Sequence, residues 1–128
     1  MKDWEKQNIE NAEHYGYEPQ SNMLIEEMAE LTQAISKYRR DNSKKNFDNI
    51  IEEIADVEVI LHQIKHLLGI NPKYVEQIKI EKVNRTKERI AREMRFNDVS
   101  GRTGKITRYE LRTKGSKRKG HRRTRART

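Results

Sequence analysis

The sequence predicts an all-α fold, and three features of it carry that prediction. Apolar residues recur three and four positions apart through most of the chain before Asn97, the period of a helix with one buried face. The breaks in that period fall at Gly16, at the polar run Asp41–Asn46 and at Gly69, where glycine and short polar stretches end helices. One acidic and apolar pattern, EEMAELTQAI at Glu26–Ile35, returns 26 residues later as EEIADVEVIL at Glu52–Leu61, which is what two equivalent helices would write.

Taken in order, a first helix runs roughly from Asp3 to Tyr15, with Gly16 and then Pro19 marking its end. A second runs from about Ser21 or Asn22 to Arg40; Lys37, Arg39 and Arg40 suit the negative end of its dipole. A third runs from about Phe47, behind Asn46 as a cap, to Leu68. Asn71 and Pro72 supply a cap and a first-turn proline for a fourth, which continues to about Arg95.

Of the 128 residues, 28 are basic and 20 acidic, but the charge is uneven. The stretch 99–128 holds twelve Lys or Arg against one acid, Glu110, and four of the six glycines. By subtraction, residues 1–98 carry 16 basic and 19 acidic groups, a net of −3. The division expected is therefore a helical domain over 1–98 and a flexible basic tail over 99–128, whose composition buries too little apolar surface to offset its ordering entropy. No apolar run is long enough to span a membrane, no signal peptide is expected from the polar opening residues, and the absence of cysteine excludes disulfides and thiolate metal sites. A cytoplasmic location is the expectation.

At about 100° per residue, Leu24, Met28, Leu31, Ile35 and Tyr38 form one apolar stripe, and Ile50, Ile54, Val57, Leu61 and Ile64 form its counterpart. Glu27 and Glu53 fall about 60° to one side of the stripes, and Glu30 and Asp56 about 120° to that side. A short turn makes the helices antiparallel neighbours, so the two carboxylate pairs converge. Four such groups repel one another unless a cation lies between them, and Mg²⁺ accepts one or two carboxylates, water and phosphate oxygens. Glu26 points farther round, as a further ligand or water-orienting base. His62 and His66 fall about 180° from the Glu53 and Asp56 edge, facing solvent or another subunit, which disfavours a di-iron site.

The pattern Glu27-x-x-Glu30, 22 residues, then Glu53-x-x-Asp56 resembles the signature of the MazG-like nucleoside triphosphate pyrophosphohydrolases. The flanks YGYEPQSNMLIEEMAELTQAISKYRR and EKVNRTKERI resemble the same family, from about Trp4 to Arg95. The resemblance implies a four-helix bundle-like all-α NTP pyrophosphatase fold, usually a homodimer or dimer of dimers. It implies Mg²⁺, with Mn²⁺ as a substitute, held by Glu27, Glu30, Glu53 and Asp56, with Glu26 and Glu27 in catalytic roles. The implied reaction cleaves a nucleoside triphosphate between its α and β phosphates. The Gly- and Lys-rich segment that closes the site in some relatives is not evident.

Lys82, Asn84 and Arg85 lie on the fourth helix with Arg89, as a basic stripe for phosphate oxygens. Gln20 either hydrogen-bonds the nucleobase or caps a turn, and Trp4, Tyr15 and Tyr17 either stack the base or pack. Two other classes stand beside the enzyme: a nucleic-acid-binding protein acting through the basic tail, and a non-catalytic helical dimer serving as an interaction module.

Overall fold

The computed structural model describes residues 1–99 of the chain, so the expectations for the tail, beyond Val99, lie outside the described residues. Four helices, α1 (Asp3–Tyr15), α2 (Tyr17–Arg40), α3 (Lys44–Leu67) and α4 (Pro72–Val99), account for nearly all of them. The protein is all-α. The chain divides into two units, Met1–Glu76 and Gln77–Thr128; the first holds α1 to α3 and the opening turns of α4.

Local chemistry explains the helix ends. The Glu5 carboxylate accepts the Lys2 N–H at 2.7 Å and satisfies one of the donors that a helix start leaves unpaired. Gly16, at φ 85, ends α1 and begins α2 in one step, a conformation that costs glycine little. The second helix therefore starts earlier than Ser21, and Pro19 lies in its first turn, where the missing N–H has no intrahelical acceptor to lose. α3 also begins early. Ser43, not Asn46, is its cap, with Oγ accepting the Asn46 N–H at 3.3 Å; Asn46 instead donates its side-chain amide to the Asp41 carbonyl at 2.8 Å and clasps the turn. Gly69, at φ 64, ends α3 with the Ile70 N–H on the Lys65 carbonyl at 2.9 Å. Asn71 Oδ1 accepts the Lys73 N–H at 3.0 Å and caps α4, which continues past Arg95 to Val99.

In the first unit α2 and α3 form an antiparallel hairpin, with α1 laid against both. The contact face differs from the expected one. Leu24, Leu31 and Tyr38 are partly buried, but Met28 and Ile35, from the same stripe, are 53% and 45% exposed. On α3, Ile50, Val57 and Ile64 turn inward while Ile54 and Leu61 are 41% and 42% exposed. The face of α2 is rotated by about 40° toward the acids. Ala34 accounts for the direction: at 1% exposure it is the most buried residue of α2, and a side chain of one carbon lets helices approach where a larger one holds them apart. The rotation draws Glu27 and Glu53 into the contact face, with partial burial.

The centre of the three-helix contact is polar. Its buried residues are Ala12, Ala34 and Ile64 together with Asn8, Gln20 and Gln63. Asn8 donates to the Val59 carbonyl at 2.9 Å and lies 3.0 Å from His62 Nδ1; Gln63 donates to Asn8 Oδ1 at 2.7 Å, and Gln20 donates to Gln63 Oε1 at 2.6 Å. His62 also meets the Trp4 ring at 5.4 Å, and His66 Nε2 lies 3.0 Å from Glu13. His62 thus faces α1, a correction to the outward orientation read from the α3 wheel, which left the first helix out of account; His66 is exposed as expected while meeting Glu13. In the second unit α4 exposes Ile78, Ile80, Val83, Ile90, Met94 and Phe96.

Candidate metal centre

The repeated acidic pattern meets itself across the hairpin. One carboxylate oxygen from each of Glu27, Glu30 and Glu53 lies within 4.8 Å of the others. Glu30 is exposed, and Glu27 and Glu53 are partly buried. Asp56, the fourth expected ligand, is outside this triplet but partly buried beside it, near enough for its charge to act on both Glu27 and Glu53. Glu26 and Glu52 are exposed.

The electrostatics are those of a site short of positive charge. Burial first, then repulsion from Glu30, Asp56 and Glu53, pushes the Glu27 carboxyl above the ordinary range. Burial, then repulsion from Glu30 and Asp56, does the same to Glu53; both losses of solvation and like charges disfavour the ionised form. Among the described residues, the buried Oε2 atoms of Glu27 and Glu53 find no hydrogen-bond partner, an unusual state for native polar atoms.

These residues fit a hard divalent cation. Around Mg²⁺, adjacent oxygens stand about 2.9 Å apart and opposite ones about 4.1 Å, while Ca²⁺ separates opposite oxygens by about 4.6–5.2 Å. Three oxygens from two helices within 4.8 Å of one another are close enough for one such cation to gather them by side-chain movement. Two orphaned carboxylate oxygens are ready ligands.

No family model, curated protein or solved structure matches the chain.

Beside the acids lies a cavity of about 470 Å³ whose lining includes Glu27 and Asp56, with Tyr15, Pro19, Met23, Val59 and Ile60 as its apolar wall and Gln20 among its polar groups. Gln20 is 7% exposed and committed through its nitrogen to Gln63. Because the Val59 carbonyl only accepts, it fixes which end of Asn8 donates, and the same sense passes through Gln63 to Gln20. Gln20 can thus offer the cavity its Oε1. Of the expected stacking residues, Tyr15 borders this cavity, Trp4 packs on His62, and Tyr17 is exposed.

Lys82, Asn84 and Arg85 are exposed side chains of α4 in the second unit. Asn8 and Gln63, which the sequence reading passed over, hold Gln20; the signal available was an amide on each helix at a position that faces a neighbour. A hollow of about 690 Å³ near the α2–α3 turn, with Lys37, Lys44 and Lys45 in its wall, was read only as a helix end and a polar turn.

Proposed function

We propose that the chain is a divalent-cation-dependent nucleoside triphosphate pyrophosphohydrolase, converting a (d)NTP to the monophosphate and pyrophosphate in nucleotide-pool housekeeping. The observation that carries this reading is the pair of buried, unpartnered oxygens on Glu27 and Glu53 within a cluster completed by Glu30. The motif spacing and its resemblance to the MazG-like family support the choice of reaction.

On this reading Glu27, Glu30, Glu53 and Asp56 hold Mg²⁺, or Mn²⁺ in its place. When bound, the cation supplies positive charge to phosphate oxygens and lowers the pKa of coordinated water. Glu26 and Glu27 orient the attacking water and take its proton. The apolar cavity beside Glu27 accepts the nucleoside and keeps water from it, with Gln20 as the polar contact.

The exposed apolar residues favour assembly as a homodimer or dimer of dimers. Met28, Ile35, Ile54 and Leu61 lie on the outer side of the hairpin contact, and a chain with so few buried apolar residues gains by covering them. Sedimentation as a monomer at micromolar concentration contradicts the assembly.

The deciding experiment is product analysis on mixed dNTPs with Mg²⁺. Monophosphate and pyrophosphate are expected; diphosphate with orthophosphate as sole products, or no turnover with either cation, defeats the proposal. Retention of nucleic acid by the intact chain without turnover would instead favour the nucleic-acid-binding reading through the tail.

A further inference from the structure

Three environments follow one another along the α2–α3 hairpin. The apolar cavity with Tyr15, Met23 and Ile60 in its lining comes first. The Glu27, Glu30 and Glu53 cluster follows. At the turn end lies the hollow of about 690 Å³, with Lys37, Lys44 and Lys45, the amides of Asn46 and Asn49, and Glu52 among its lining residues.

From this order we infer that the turn-end hollow binds the distal phosphates of a polyphosphate ligand, with Lys37 and Lys45 as its principal cations. The inference rests on the carboxylates being the cation centre at which such a ligand is anchored.

The charge is suitably placed. Lys44 is partly neutralised by Asp48 at 3.7 Å. Lys37 and Lys45 form no ion pair among the described residues, although both face a hollow suited to an anion. Asn46 and Asn49 are partly buried, so the floor of the hollow carries amides, while the lysines stand at its exposed wall.

The reach is suitable as well. Seven helical residues separate Glu30 from Lys37, about 10 Å, and eight separate Lys45 from Glu53, about 12 Å. A lysine stem of about 6 Å, extended along the axis toward the acids, can bring each ammonium to roughly 4–6 Å from their level, Lys37 with the lean of helical side chains toward the N-terminus and Lys45 against it. A phosphate held at the carboxylates through a cation can therefore have its neighbour within reach of both. Glu52 and Asp48, both also in the hollow, oppose an unneutralised anion and make the cation a partner in its capture.

The arrangement gives one hairpin both halves of polyphosphate recognition. Its acids gather the cation, and its turn supplies positive charge on the chain itself.

Inorganic pyrophosphate with Mg²⁺ is the probe, followed by calorimetry and ³¹P NMR on the full chain at fixed ionic strength. Replacing Lys37, Lys44 and Lys45 together by Met should weaken pyrophosphate binding roughly tenfold, the product of three modest exposed charge contacts. Mg²⁺ binding without pyrophosphate and helix content should stay unchanged, and Arg at Lys37 and Lys45 should restore much of the affinity. A control with Lys2, Lys6 and Lys73 changed to Met removes equal charge elsewhere and should cost less than about twofold.

Unchanged affinity in the triple variant, or an equal loss in the control, overturns the inference. A chain that binds Mg²⁺-pyrophosphate through these lysines but releases none from NTPs refutes the pyrophosphohydrolase reading and leaves this site standing. A chain that hydrolyses NTPs with pyrophosphate affinity indifferent to the lysines does the reverse.

Discussion

Adding Mg²⁺ to the metal-free protein at pH 7 should raise its thermal stability, and lowering the pH should remove that gain. On the proposed reading a cation would bind where Glu27 and Glu53 hold buried oxygens without partners among the described residues, and would favour the folded chain over the unfolded one. At a concentration one hundred times its dissociation constant, a ligand of the folded state contributes about 2.7 kcal/mol. For a chain near 100 residues, about 4–8 °C accompanies each kcal/mol, so the melting temperature should rise by roughly 10–20 °C. Without the cation the pH dependence has the opposite sign. Both carboxyls are held above their ordinary value of 4.5, so the unfolded chain releases those protons first. The resulting destabilisation is absent below that value and grows as pH rises through the raised ones. Circular dichroism melts from pH 4 to 8, with chelator and with each cation, measure both effects. Equal cation-induced shifts in the natural chain and in Glu27→Gln, or a metal-free stability that climbs with pH over this window in the natural chain but not in Glu27→Gln, would refute the reasoning.

Glu53→Gln should abolish most turnover, leave the helix content, and flatten the metal-free stability profile between pH 4 and 8, measured by the same melts; full activity would remove Glu53 from the site. Asn8→Ala and Gln63→Leu should each destabilise the fold by about 1–3 kcal/mol, because each leaves a buried amide unpaired, and the double variant should lose less than the sum. Urea titration checks this, and strict additivity would break the proposed chain of amides. Removing residues 99–128 should reduce salt-sensitive retention on nucleic acid while sparing hydrolysis; a hundredfold drop in turnover at saturating substrate and high salt would place the tail in the active site.

The helices were legible because period and punctuation are local properties. Ends decided by one side chain were less so. Ser43 and Asn46 are both capping residues, and only the Asn46 contact with the Asp41 carbonyl frees Ser43 to be the cap. The acids were legible as a pair of pairs, since their spacing alone puts them on matching faces. Their depth was not. A helical wheel ranks Met28 and Ile35 as the seam because they are apolar, whereas the approach of two helices at Ala34 turns Glu27 inward and leaves those two exposed. The orientation of His62 was hidden for a related reason: its partner is Asn8, 54 positions away on another helix, and a wheel contains no second helix.

The three-residue connection from Asp41 to Ser43 also bears on the order of events during folding. All four proposed ligands lie on the two arms of a single hairpin, so they meet through contacts of short sequence separation, the kind that form early. Closing that hairpin brings like charges together before the rest of the unit has assembled around them. A cation, or protons at lower pH, then acts on the barrier as well as on the end state. Refolding into Mg²⁺ should therefore be faster than refolding into chelator, a kinetic trace of a site written into two helices and the turn between them.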